Sequence, residues 1–184
     1  MFSYKIDEET HLSLIESRHA GELHDLIQNS LEHIKEWSAW LKDGHSIEDT
    51  NDFINRNLQQ FAANEGFGMA IWHKGEMAGQ IEYNYLDREN LKTEVGYWLG
   101  KSFQGKGLIS KSCPVLINYA FDVLNLKRIE IRCGVENVKS RRIPEKLGFK
   151  EEGVARQSGL LHGRYIDHVI YGMLAEEWRN RNAA

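Results

Sequence analysis

The chain has 184 residues, 41% hydrophobic and 27% charged, with a formal net charge of −4, the size and balance of one globular domain over residues 1–184. That charge excludes a surface that grips nucleic acid through an excess of cations, and no stretch approaches the ~18 apolar residues of a membrane span. Cys113 and Cys133 sit in no CxxC or Cys/His spacing, so neither a disulfide framework nor a metal site is expected.

The N-terminal MFSYKIDEETHLSL lacks the apolar core of a secretory signal, and the expected setting is the cytoplasm. HLSLIES (11–17) reads as a short strand, with Ser17 placed to cap a helix in which Ala20, Leu23, Leu26 and Ile27 recur at helical spacing. EWSAWL (36–41) puts Trp37 and Trp40 on one helical face. Ser46 and Asp49 have the spacing of a capping box, ahead of an apolar stripe made by Ile47, Phe53, Ile54, Leu58 and Phe61.

The period then changes to two. FGMAIWH (67–73) and AGQIEYNYL (78–86), joined by Lys74-Gly75-Glu76, form a β-hairpin, and TEVGYWLG (93–100) is a further strand. LISKSCPVLINYAFDVL (108–124) is helical, with Leu108, Val115, Leu116, Tyr119, Ala120 and Val123 on its stripe. Pro114 removes a donor there and is expected to kink or loosen the second turn. KRIEIRCGV (127–135) points Ile129, Ile131 and Cys133 inward. A short helix over 138–147 ends at Gly148, and strands over 149–158 and 165–174 close the chain. The segment from 93 to 135 is a parallel strand-helix-strand crossover inside a mostly antiparallel sheet, so the fold class is a mixed α/β (α+β) architecture.

Between strand and helix lies SFQGKGLISK (102–111). The first N–H groups of a helix lack internal partners and sit at the positive end of its dipole, which suits an anion such as pyrophosphate. Gly105 and Gly107 remove side chains that would block its approach, and Lys106 adds a cation. The loop is neither GxxxxGK[ST] nor GxGxxG, since Ser110 stands where a third glycine would be. A plain glycine turn with a solvated lysine explains the same residues.

Three segments carry a resemblance: EVGYWLGKSFQGKG (94–107), RIEIRCGVENVKSRRIPEKLGF (128–149) and HGRYIDHVIYGML (162–174). With the hairpin before them, they resemble the GNAT superfamily of acetyl-CoA-dependent N-acetyltransferases over most of residues 10 to 178. The resemblance is greatest to the RimL-like branch, which acetylates ribosomal-protein amino termini. It implies acetyl-CoA as cosubstrate, no metal, an amine-bearing partner such as a ribosomal-protein N-terminus, and a homo-oligomer. By the same resemblance, backbone amides across Gln104, Gly105, Lys106, Gly107, Leu108 and Ile109 hold the CoA pyrophosphate. Trp98 and Leu99 pair with the pantetheine arm like an added strand, Asn137 faces that arm, and Arg142 is a second cofactor contact.

Departures from the superfamily pattern concern the chemistry. Ile109 stands where the loop usually ends in Gly or Ala. Pro144 stands where many members carry the tyrosine that protonates the leaving thiolate; the NxxS of Asn137 to Ser140 makes Ser140 the acid instead. Gly159 occupies the position of the branch's proposed glutamate base, and its neighbours Ser158 and Leu160 are not acidic. Glu82 and Glu94, on predicted strands, remain as bases acting directly or through water, although each also reads as a solvated or ion-paired strand residue. His73, His162 and His168 offer proton relays on the same terms.

Neutralising an α-amine at pH 7 costs about 1.4 kcal/mol and a lysine about 4.6 kcal/mol, so a site without a strong base suits an α-amine. Trp37 and Trp40 read either as core packing or as an acceptor-groove wall. Tyr165, Asp167 and Tyr171 read mainly as structural, with Tyr165 near the acceptor. The expected activity is acetyl transfer to a protein N-terminal amine. Alternatives are a polyamine, antibiotic or amino-sugar acceptor, or a catalytically silent acyl-CoA-binding protein.

Overall fold

The computed structural model describes residues 3–183. In chain order the strands are β1 (Ser3–Lys5), β2 (Thr10–Leu14), β3 (Phe67–His73), β4 (Glu76–Asp87), β5 (Lys92–Leu99), β6 (Arg128–Gly134), β7 (Lys150–Leu161) and β8 (Arg164–Leu174). The helices are α1 (Ala20–Gln28), α2 (Leu31–Lys35), α3 (Ile47–Ala63), α4 (Leu108–Asn118), α5 (Val138–Lys146) and α6 (Ala175–Ala183). The strands join in one sheet of order β1-β2-β3-β4-β5-β6-β8-β7. Every pairing is antiparallel except β5 with β6.

The period of two divides the sheet into two working faces. Directly opposed pairs such as Tyr83 with Val95, Ile131 with Tyr171 and Cys133 with Val169 are buried. They lie on the α4 side, where the Tyr83 hydroxyl donates to Leu116 O. The other face carries Gln80 opposite Trp98, Glu82 opposite Gly96, and Glu94 opposite Glu130, and it is covered by the segments from α1 to α3. The Ser46 side chain caps α3 in the anticipated box with Asp49.

The parallel pairing covers only Lys92 with Arg128, Thr93 with Ile129 and Glu94 with Glu130. Beyond it β5 stays on β4 as far as Gly79 with Leu99, and β6 stays on β8. The two central strands therefore fork.

Local details differ from the sequence expectations. β2 ends at Leu14, and Ser17 begins a 3₁₀ turn, Ser17–His19, capped reciprocally by Glu16 and His19; α1 starts beyond it, so Ser17 caps no α-helix. Trp37 and Trp40 lie after α2, in the irregular stretch that leads to α3. Their rings are held by tertiary contacts that helix periodicity does not report. α4 runs through Pro114, and the irregularity falls later, in a π-helical turn at Tyr119–Val123. β1 and α6 were not apparent from pattern alone, being three exposed residues and a strongly polar helix.

Gly79 shows how closely the fork is built. A Cβ there would lie 2.2 Å from Trp98 O and 2.9 Å from Leu99 Cα, both backbone atoms. Gly79→Ala is expected to destabilise the protein by about 1–3 kcal/mol through overpacking, seen as a lower urea midpoint with an unchanged slope.

Candidate active site

The fork exposes one edge of β5. Gly100 N donates to Ala78 O on β4 at 2.9 Å, so strand alternation turns the Leu99 amide towards the opposite, open edge. At the mouth of the fork the chain makes a 3₁₀ turn, Lys101–Phe103, and enters α4 through two left-handed glycines, Gly105 (φ 74°) and Gly107 (φ 73°). Both conformations strain any residue with a Cβ. Open space surrounds a Cβ built at either glycine. Among the described residues, no hydrogen-bond acceptor meets the amides from Gly107 to Ser110; Lys111 is the first to close a helical bond, to Gly107 O.

This is the layout of an anion cradle. Lys106 lies over the Phe103 ring at 5.0 Å, and Lys139 Nζ is 3.4 Å from Gln104 Oε1. The Gln104 amide also bonds His33 Nε2, tying the loop to α2. Arg142 is exposed and makes no hydrogen bond or ion pair among the described residues. These donors fit a pyrophosphate, and the open β5 edge fits an extended amide-bearing arm beside it.

Ser140 stands across the fork, in the first turn of α5. Asn137 caps that helix, its Oδ1 accepting from Ser140 N at 3.1 Å. Ser140 Oγ lies 3.2 Å from Cys133 Sγ and 3.4 Å from the Tyr97 hydroxyl, which itself donates to Ser140 O at 3.0 Å. Burial pushes the Tyr97 phenol well above its ordinary value, with the two cysteines adding to the effect. Tyr97 is thus a fixed donor that positions Ser140, a residue the sequence reading passed over because it resembled ordinary strand patterning.

The two carboxylates on the α1–α3 face differ in their surroundings. Glu94 accepts from Asn84 Nδ2 at 2.7 Å and pairs with Arg132 at 3.3 Å. Burial raises its pKa, while those two partners oppose the rise. Among the described residues Glu82 has no cation, and its one hydrogen-bond partner is Gln80 Nε2 at 2.9 Å; burial pushes its carboxyl up to about 7.

Gly159 has a local explanation. A Cβ there would lie 2.4 Å from His168 Cε1, so the imidazole fills the space a larger residue would need. Ser158 Oγ donates to Ala155 O at 2.9 Å and lies 2.8 Å from His168 Nδ1. With the serine proton committed, Nδ1–H donates to Oγ and Nε2 keeps its lone pair. Burial, followed by the nearby Arg132, lowers the pKa of His168, against a smaller opposing effect of Asp167.

Trp37 packs on Gly134, its Cζ3 3.1 Å from a Cβ built there. Trp40 stacks on Phe53 at 5.2 Å and meets Trp98 at 6.1 Å. Both tryptophans line the face that carries Glu82 and His168. The other histidines lie elsewhere: His73 is near Thr10 at 3.4 Å, and His162 bonds Lys35 O at 2.9 Å. Tyr171 is structural, donating to Glu145 at 2.9 Å and accepting from Arg141 at 3.0 Å. Asp167 accepts from Gln157 N at 2.7 Å, while Tyr165 is exposed.

A sheet forked beside a glycine-rich helix start, with a hydroxyl on one side and carboxylates on the other, defines an acyl-group transferase of the thioester-binding kind. Residues 10–150 match the acetyltransferase (GNAT) domain, and the chain belongs to that family as an acetyl-CoA-dependent N-acetyltransferase. It is 36% identical to the Bacillus subtilis (strain 168) protein named "Putative ribosomal N-acetyltransferase YdaF", over 97% of this chain and 98% of that one. It is 28% identical to the ribosomal-protein-serine acetyltransferase of Escherichia coli (strain K12), over 94% and 96% of the two chains. Among solved structures, RimL, the ribosomal L7/L12 α-N-protein acetyltransferase in complex with coenzyme A, superposes with a TM-score of 0.90 at 25% identity, covering 95% of this chain and 99% of that one.

The position of Glu82 has a consequence for stability. Its carboxyl binds a proton more tightly in the folded state (about 7) than at its ordinary value of 4.5, so its contribution is fully present below pH 4.5 and lost as pH rises through about 7. Glu82→Gln is therefore expected to raise Tm relative to the parent at pH 8, on the order of 5 °C. The difference should fade at pH 4 in the same thermal melts.

Proposed function

We propose that this enzyme acetylates the α-amine of a protein N-terminus, with a ribosomal protein as the fitting class of acceptor. The observation that carries the proposal is Glu82, a carboxyl at about 7 with no cation partner on the acceptor face. Passing a proton to it costs about 1.4 kcal/mol from an α-amine of pKa ~8, but about 4.6 kcal/mol from a lysine of pKa ~10.4. The names of the relatives, ribosomal-protein and α-N-protein acetyltransferases, support the same acceptor class.

In this scheme Glu82 accepts the acceptor's proton, directly or through one water. Glu94, paired with Arg132 and hydrogen-bonded by Asn84, shapes the field beside it. The Leu99 amide stabilises the oxygen that becomes negative in the transition state. Ser140 Oγ, oriented by Asn137 and Tyr97, gives a proton to the leaving sulfur. The Gln104–Ile109 amides with Lys106 and Arg142 hold the pyrophosphate, and Trp98 and Leu99 offer the strand edge to the pantetheine arm. The same proposal treats residues 1–184 as one domain and places the enzyme in the cytoplasm. Its homo-oligomer would use the outer edge at β7, where Val154 and Leu160 are exposed.

Thiol release from acetyl-CoA, measured with N-terminal peptides, N-blocked lysine peptides, polyamines and aminoglycosides, tests this scheme. Turnover is expected on free N-termini; turnover confined to lysine or polyamine amines would overturn the acceptor. Ser140→Ala should lower kcat at least tenfold with CoA affinity unchanged, and an unaltered rate removes Ser140 from the mechanism.

A further inference from the structure

Two buried carboxamides beside Glu82 have oxygens without partners. Gln80 is 0% exposed and Asn57 6%, yet Gln80 Oε1 and Asn57 Oδ1 have no hydrogen-bond partner among the described residues. Neither assignment is an arbitrary choice between nitrogen and oxygen. Gln80 Nε2 donates to the Glu82 carboxylate at 2.9 Å, and Asn57 Nδ2 donates to Phe53 O at 3.1 Å. Each nitrogen faces a group that accepts, so each oxygen is the atom left over.

The two side chains come from different elements and meet over a glycine. A Cβ at Gly68 would lie 2.5 Å from Asn57 Oδ1 and 2.5 Å from Gln80 Nε2, and Gly68 is paired across β3 and β4 with Glu82. Next to this cluster stand the aromatic rings of Phe53, Trp40 and Trp98, with Trp98 directly opposite Gln80. An orphaned buried acceptor ordinarily destabilises a fold. Two of them beside a carboxylate with no cation among the described residues, with the buried Trp98 Nε1 as an unpartnered donor opposite Gln80, suit a group rich in donors that carries one positive charge.

We propose that Asn57, Gln80 and Glu82 form the seat of the acceptor's ammonium group. The inference rests on the amine-acetylating reading above and names the groups that recognise the amine. A primary ammonium has three N–H bonds, and the seat presents two neutral oxygens and one carboxylate. One N–H bond breaks and one O–H bond forms on Glu82, leaving a neutral amine with a free lone pair and a neutral carboxylic acid. The two carboxamide oxygens accept from the amine before and after that transfer. Trp98, opposite Gln80, continues into the Trp40 and Phe53 rings, and aromatic faces favour a cation.

The test uses the full-length enzyme and a peptide acceptor with a free N-terminus. Gln80→Met and Asn57→Leu keep side-chain size and remove the orphaned oxygens. Each is expected to raise the acceptor KM about tenfold while leaving the acetyl-CoA KM unchanged; Tm does not discriminate, since each variant also removes a made hydrogen bond, Gln80 Nε2 to Glu82 or Asn57 Nδ2 to Phe53 O. A peptide with an N-methylated terminus, one N–H short, should lose less discrimination against the parent peptide in the variants than in the wild type. A merely structural role predicts that both KM values stay, whatever the change in Tm. An acceptor KM within twofold of wild type in both variants overturns the proposal. If one apolar variant folds poorly, the other decides by the same criterion, an acceptor KM within twofold of wild type overturning the proposal. Absence of turnover by the wild type on any amine would instead defeat the amine reading itself, and this inference with it.

Discussion

The early end of the β5–β6 pairing is the constraint on which the remainder depends. Two adjacent parallel strands would ordinarily continue their ladder, since an unpaired backbone edge in a sheet interior leaves polar groups unsatisfied. Here the ladder stops at Glu94 and Glu130. Neither strand is left unsupported, because β4 continues to hold β5 as far as Leu99 and β8 continues to hold β6. The fork thus keeps its outer hydrogen bonds and gives up only inner ones, which an extended ligand arm can replace. Gly79 is the local condition for this, as the backbone of Trp98 and Leu99 lies where its Cβ would be.

From the fork, the two helix starts acquire their roles. α4 begins at the mouth beside β5, and α5 begins just after β6 ends, so the positive ends of two helices flank one gap. One has the layout of an anion cradle built from main-chain N–H groups. The other carries Ser140 against Tyr97 and Cys133, linking the two forked strands through a hydroxyl rather than through a ladder.

This division explains what could be read in the sequence. The cradle is made by backbone, so its requirements appear as consecutive residues: Gln104, two glycines and an apolar helix start. Strand alternation around Ile129 to Cys133 was legible for the same reason, being local and periodic. The acceptor face is made by side chains from α3, β3, β4 and β8, each isolated within its own segment. Gln80 and Asn57 look like ordinary polar residues on an amphipathic pattern, and Gly68 like a weak strand residue. Nothing local states that they meet. Gly159 is the clearest case: as a missing carboxylate it was an absence, whereas in the fold it makes room for the His168 imidazole.

The acceptor face also shows how one sheet surface keeps two carboxylates in different states. Glu94 and Glu130 share Arg132, and Glu130 takes Arg128, which also holds Glu152, so each carboxylate on that side has a cation. Two strand positions along, Glu82 lies outside this network and answers only to burial and one amide. Were Arg132 within reach of Glu82, the carboxyl would be held ionised and too weak a base for an amine. In the proposed scheme, its isolation from the ion pairs and the two neutral oxygens beside it would let proton affinity near 7 coexist with recognition of a charged acceptor. The unpartnered oxygens and the uncompensated acid are each unfavourable to the fold taken alone, and an ammonium group between them would complement both.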